Sequence, residues 1–184
     1  MVIARMGYSR ELCYELFLQD GSKGNDLWEM PWEAGQEFKI SAGGPNIILR
    51  LEGGILSYLA DIDRSNNPYE VGLDWLVDLE QEDDFIGKEA LRLVSQNGPT
   101  KKLMGAEIHG DPIEDSNADH WPVFINGKKV GSMNAMAYSP RLDKNICYTI
   151  LDIEHAKSGQ EIVIASPEKD LMATTIDLPW RERA

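Results

Sequence analysis

The sequence predicts an α+β protein in two parts. Residues 1–98 read as a mixed portion of sheet and helices, and residues 99–184 as a small antiparallel β-barrel or sandwich. Three observations lead there. A stripe of helical period runs through Ile47, Ile48, Leu51, Ile55 and Leu56 in the first part. Six short strand-like runs crowd together from Lys101 onward. Between the two, Asn97-Gly98-Pro99 stops a helix and opens a turn. With 184 residues the chain can bury one ordinary core or two small ones.

Taken in order, the first element is a strand within Gly7–Leu18, GYSRELCYELFL. From Leu12 it alternates with period 2: Leu12, Tyr14, Leu16 and Leu18 make a core face, and Cys13, Glu15 and Phe17 point the other way. The second face sets a carboxylate between a sulfhydryl and an aromatic ring. The residues alone leave two readings: a solvated Glu15 on a wet face, or a buried one met by the hydrogen-bond donors of a ligand. A polar turn over 19–25 follows, then a short or kinked helix capped by Asp26, carrying Leu27, Trp28 and Trp32, interrupted by Pro31 and ending near Gly35. Glu37 to Ser41 alternates like a strand.

Gly44-Pro45-Asn46 opens the longest helix, because proline lacks an N–H where a helix would leave it unpaired. Gly53 and Gly54 weaken that helix, which points to close packing. Residues 59–71 form a turn-rich loop. Asp74–Leu79 reads as a strand, and Phe85-Ile86-Gly87-Lys88-Glu89 leads a helix running to about Ser95. The later strands are placed at Leu103–His109, Pro122–Ile125, Lys128–Met136, Cys147–Ile153, Glu161–Ala165 and Leu171–Asp177, with Asn126-Gly127 as a tight hairpin turn.

The net charge of −13 is concentrated in residues 1–95, which carry −10 of it. Such a surface repels a phosphate backbone, so nucleic acid is not an expected partner. No 18-residue apolar run is present, which argues against a membrane-spanning helix, and the start has no signal architecture; the expected location is cytoplasmic. Cys13 and Cys147 match no metal or redox spacing. His109, His120 and His155 stand apart, so no metal site is expected. The acidic group Asp111, Glu114, Asp115, Asp119 and His120 reads either as a cation grip or as a solvated loop. Neither a nucleophile elbow nor a phosphate loop occurs.

The order of the stretches adds what each alone does not carry. GYSRELCYELFL, then LRLEGGILSYLADIDRSNNPYEVGLDWLV, then DFIGKEAL and six strands resembles the aminomethyltransferase (glycine-cleavage T-protein) family. That family's pattern runs G-Y-T-G-E-x-G-x-E, A-R-D-x-L-R-L-E-A-G, P-x-E-A-G-L-x-W and D-F-I-G-[KR]-E-A-L. The match is specific at Gly7-Tyr8, Glu15, Arg50-Leu51-Glu52, Pro68, Gly72-Leu73, Trp75 and Asp84–Leu91. The resemblance implies a C-terminal half: the end of a folate-binding α+β domain over 1–98 and a C-terminal barrel over 99–184.

It also implies tetrahydrofolate as cofactor. Glu15 falls where the family's pterin-binding glutamate sits, and a pterin's paired N–H edge suits one carboxylate. Asn46 stands where the family has an arginine, and Tyr8 and Trp75 become wall residues. Gly44-Pro45-Asn46 is similar to the dimethylsulfoniopropionate demethylase branch, which implies a small methylated donor, a sulfonium or an amine. Arg10 and Cys13 replace two family glycines. The family's catalytic aspartate lies in the half that precedes this pattern, so no catalytic residue is assigned. The expected function is therefore the C-terminal portion of a tetrahydrofolate-dependent aminomethyltransferase or demethylase. The alternative is a non-catalytic folate-binding or interaction module. Either way, an apolar face is expected to bind a separate N-terminal half or a second copy of the chain.

Overall fold

The computed structural model describes residues 1–116 and 119–180; the last residues of the expected barrel span, 181–184, lie outside them. Strands β1 (Val2–Ala4) and β2 (Glu15–Phe17) pair antiparallel as a ribbon of two. Helices α1 (Gly24–Ala34), α2 (Ile47–Gly53) and α3 (Lys88–Asn97) follow. Six strands then close an antiparallel barrel: β3 (Lys101–Ile108), β4 (Trp121–Ile125), β5 (Lys128–Ser139), β6 (Lys144–Asp152), β7 (Glu161–Ala165) and β8 (Asp170–Ile176). Around the barrel they run β3-β6-β5-β4-β7-β8, so closure leaves no open edge.

All six expected barrel strands are present, and the architecture is a barrel rather than a sandwich. Asn126 (φ 50) and Gly127 (φ 77) both adopt the left-handed backbone that a tight hairpin turn needs. The barrel is filled by Met104, Ala106, Ile108, Val123, Met133, Cys147, Leu151, Ile162 and Ile164. Its outer wall carries a second core. On β6, Cys147 and Leu151 point inward while Ile146, Tyr148 and Ile150 pack outward against Leu51 of α2 and Val71. β6 is therefore buried on both faces. A bulge between Met133 and Ala135 lets β5 serve both cores, with Met133 inside and Ala135 outside. Gly131 is required beside it, because a Cβ there would lie 2.1 Å from the Ile150 carbonyl oxygen.

Ahead of the barrel the structure differs from the sequence expectation in four places besides α1, which begins at Gly24 so that Asp26 lies within its first turn rather than capping it. The strand of Gly7–Leu18 shrinks to Glu15–Phe17. Arg10 turns the chain with φ 57, and the Cys13 thiol bonds back to the carbonyls of Met6 and Glu11. Leu12, Tyr14 and Leu16, expected in a core, are exposed. Glu37–Ser41 overlaps a 3₁₀ turn (Gln36–Phe38) closed by Lys39 at φ 57, and Asp74–Leu79 contains another (Asp74–Leu76). Among the described residues neither has a neighbouring strand to satisfy an extended backbone, and local bonds do so.

The long helix is the fourth. It spans only Ile47–Gly53, since Gly54 takes the left-handed conformation (φ 71) and returns its N–H to Arg50 and Leu51. Its cap is Asn46, not Pro45: the Asn46 side-chain oxygen accepts from Ile48 N (2.9 Å) and Leu49 N (3.2 Å). Helix α1 tolerates Pro31 within it, and Trp28 stacks on Trp32 one turn later, but none of its residues is buried.

Candidate functional site

The centre of the first part is Arg50-Leu51-Glu52, which α2 presents to the barrel. Leu51 enters the outer core, so its neighbours are carried into the interior with it. Arg50 pairs there with Asp61, whose carboxylate also accepts from Ser57 N at 2.6 Å. Glu52 accepts from the Ser139 hydroxyl of β5 at 2.6 Å and lies 3.6 Å from Arg141. Tyr148 of β6 donates its hydroxyl to the Leu51 carbonyl oxygen at 3.1 Å, under the Arg50 guanidinium. Burial, then the nearby Asp61 charge, pushes the Tyr148 hydroxyl well above its ordinary pKa. These buried charges form a clamp that seats α2 on the barrel wall. Losing one member would strand another charge in the interior.

Two concavities flank the clamp. At the C-terminal end of α2 an open cleft of about 450 Å³ is bounded by Arg10, Gly53, Leu73, Trp75, Lys102 and Pro179, among others. Arg10 donates to the Gly53 carbonyl oxygen at 2.7 Å, and a Cβ on Gly53 would meet the Arg10 Cβ at 2.8 Å. The cleft thus offers apolar walls, an indole and a guanidinium, with Lys102 paired to Asp177 at 3.1 Å. On the other side a polar pocket of about 140 Å³ includes Asp61, Asp63, His120, Ser132 and Asn134. His120 reaches the Ala60 carbonyl oxygen at 2.7 Å, and hydrogen bonds from Ser65 hold the Asp63 carboxyl below its ordinary pKa. Among the described residues no cluster of three or more His, Cys, Asp or Glu is placed to hold a metal ion.

The four residues singled out in the sequence are dispersed around this clamp. Trp75 lines the larger cleft, as Arg10 does. Tyr8 lies in the turn beside Arg10 and is partly exposed. Asn46 caps the far end of α2, about 10 Å from Gly53 at 1.5 Å per helical residue. Glu15 is half-buried on β2, on the ribbon face shared with Val2, Ala4 and Phe17. Two features escaped the sequence reading. The Arg50–Asp61 pair joins residues 11 apart through a loop of no regular period. Arg10 has a visible signal: a charged residue where the related pattern has glycine, here held at positive φ.

Helices and a small ribbon clamped onto a closed six-strand barrel define a recognisable class of protein. The GCVT N-terminal domain model matches residues 1–81, and the glycine cleavage T-protein C-terminal barrel domain model matches residues 101–180. The chain belongs to the glycine-cleavage T-protein family. It is 32% identical over 183 residues to dimethylsulfoniopropionate demethylase DmdA of Ruegeria pomeroyi, covering 98% of this chain and 49% of that one. It is 34% identical over 180 residues to an aminomethyltransferase of Synechococcus sp. (strain CC9902), covering 98% and 48%. In fold it is similar to the crystal structure of glycine cleavage system aminomethyltransferase T from Bartonella henselae. The TM-score is 0.83 at 21% identity, with 98% of this chain and 50% of that one covered. The chain spans about half the length of the curated relatives it matches, and corresponds to their C-terminal part. Among the described residues, no helix is long and apolar enough to cross a membrane.

Proposed function

We propose that this chain supplies one wall of a tetrahydrofolate site in a one-carbon transferase that takes a methyl or aminomethyl-derived group from a small sulfonium or amine donor. The observation that carries the reading is Glu15: a half-buried carboxylate on a strand face otherwise made by Val2, Ala4 and Phe17, at the position of the related pattern's pterin-binding glutamate. A pterin brings two N–H donors side by side, and a carboxylate between apolar neighbours meets them as a charge-assisted pair. Tyr8 and Trp75 would flank the ring system and its extension. Asn46 already lends its side-chain oxygen to the α2 cap, leaving its amide N–H groups as what it can offer a ligand. The chain's own contribution is to bind and orient the acceptor; none of its residues is assigned a proton transfer or a nucleophilic step.

Isothermal titration with tetrahydrofolate tests the contact. Glu15→Gln keeps the shape and one acceptor but loses the charge, and is expected to weaken binding roughly 10- to 100-fold. Equal affinity in the two proteins removes Glu15 from the site. Tyr8→Ala and Trp75→Ala are expected to lose less, since each would contribute only one stacking face.

A further inference from the structure

Arg10 enters the larger cleft through a position that gives way to it. The residue is held at φ 57, in the left-handed region, and its guanidinium donates to the Gly53 carbonyl oxygen at 2.7 Å. Gly53 is buried within α2, where alanine would favour the helix. A Cβ on Gly53 would meet the Arg10 Cβ at 2.8 Å and its Cδ at 3.3 Å, so the arginine sits there only because residue 53 has no side chain. The two positions depart together from the related pattern, which has glycine at the first and alanine at the second. Packing alone would be served by an apolar side chain, whereas this exchange brings a guanidinium to the cleft.

The charge has no protein partner there. Among the described residues no carboxylate lies within ion-pair distance of Arg10: its neighbour Glu11 is paired with Arg141 at 2.7 Å, and in the cleft Asp177 is paired with Lys102 at 3.1 Å. Among the described lining residues the cleft therefore carries one uncompensated positive charge, in a chain of net charge −13. Gly53 takes one N–H of the guanidinium and leaves the others to a ligand. At about 450 Å³, with Leu73 and Trp75 among its walls, the cleft has room for a small organic molecule. We infer that Arg10 selects a ligand bearing a carboxylate, which its planar fork grips while the rest of the ligand lies along the apolar walls. A single negative charge suits the place better than a dianion, because the cleft lies at the C-terminal end of α2, where the helix dipole is itself negative. Two molecules of the reaction proposed above can bring that group: the glutamyl tail of tetrahydrofolate, or a methylated donor that is itself a carboxylate. The inference rests on the folate reading for the first source and is independent of it for the second.

Isothermal titration with matched probes tests it. Tetrahydrofolate is compared with 6-methyltetrahydropterin, which lacks the glutamyl tail, and glycine betaine with tetramethylammonium, which lacks the carboxylate. Arg10→Gln is expected to weaken one carboxylate probe roughly 10-fold or more and to leave its carboxylate-free counterpart unchanged. Loss with tetrahydrofolate identifies the tail, and loss with betaine identifies the donor. An arginine that only anchored its turn would move both members of a pair, since that turn leads into Glu15. Thermal midpoints read the packing separately. Gly53→Ala is expected to lower the midpoint of the parent and to raise it once Arg10→Gly has cleared the space, and to weaken the same carboxylate probe. Unchanged affinity of both carboxylate probes for Arg10→Gln, equal losses within a pair, no binding of either carboxylate probe, or stabilisation by Gly53→Ala in both backgrounds overturns the inference. If neither tetrahydrofolate nor the pterin binds, yet the betaine contact is lost in Arg10→Gln, the folate reading fails and this one stands. If tetrahydrofolate binding depends on Glu15 while no probe responds to Arg10→Gln, the folate reading stands and this one fails.

Discussion

The barrel and the segment before it are built from similar amounts of apolar side chain and use them in opposite ways. Among the described residues, thirteen large hydrophobic residues are exposed within residues 1–40, against Ile153 and Met172 within 101–176. The barrel closes its hydrogen bonds on itself and buries β6 on both faces. The ribbon and α1 carry comparable side chains but bury almost none of them. The barrel is therefore complete as a packing unit, while the N-terminal part is finished only where α2 is clamped to the barrel wall. Stability resides in one region, and unsatisfied surface, with the candidate ligand contact, resides in the other.

The clamp offers the largest way to break that division. Asp61→Ala leaves Arg50 buried without its counter-charge and Ser57 N without its acceptor. The expected loss is about 3–5 kcal/mol in denaturant unfolding, the cost typical of removing one member of a buried pair. Hydrogen exchange should show α2 and the 55–76 segment opening before the barrel. Simultaneous loss of protection in both would mean that the barrel cannot stand without the clamp.

What the sequence reveals follows the same boundary. All six barrel strands are readable because each finds two neighbours, so local alternation and global pairing agree. The Asn126-Gly127 turn is readable because its backbone demands those residues. The strand expected over Gly7–Leu18 has the right period but no further partner beyond β1, and Arg10 at positive φ breaks it. The bulge at Asn134 shifts the phase of β5, so no fixed period describes which of its residues face inward. At the site, Glu15, Tyr8 and Trp75 come from motif order, whereas Arg50–Asp61 pairing depends on a loop path that no spacing encodes. The resemblance points to Asn46 as a ligand residue, and the structure uses its side-chain oxygen to cap α2.

The two cysteines sharpen the comparison, one thiol falling in each region. Cys13 sits half-buried in the turn before β2, and Cys147 lies inside the barrel. Burial pushes the Cys147 thiol up from 9.0 to about 12. Its unfolded form therefore loses a proton at a pH where the folded form keeps it. Stability contributed by the neutral thiol is fully present below pH 9 and is lost as pH rises from there toward about 12. Tyr148 adds to the same alkaline loss, because burial raises its pKa above an ordinary value of 10.0. Near pH 10, Cys147→Ala is expected to remove up to about 1.4 kcal/mol per pH unit from the slope of unfolding free energy. A thiol reagent at neutral pH should label Cys13 readily and Cys147 only on unfolding. Equal labelling rates would contradict the picture of a closed barrel.

The smallest expected effect concerns the end of α2 remote from the Arg10 cleft. Asn46→Ala removes the side-chain oxygen that accepts from Ile48 and Leu49, at a cost of about 1 kcal/mol. Asn46→Asp keeps the cap and is expected to restore the stability. The pair of variants separates two roles for one residue. If tetrahydrofolate affinity follows stability, weakened in Asn46→Ala and recovered in Asn46→Asp, the side chain acts on the ligand only by holding α2. If Asn46→Asp folds like the parent yet binds tetrahydrofolate less tightly, the lost amide N–H donors were themselves ligand contacts, and the site extends from the ribbon to the helix cap.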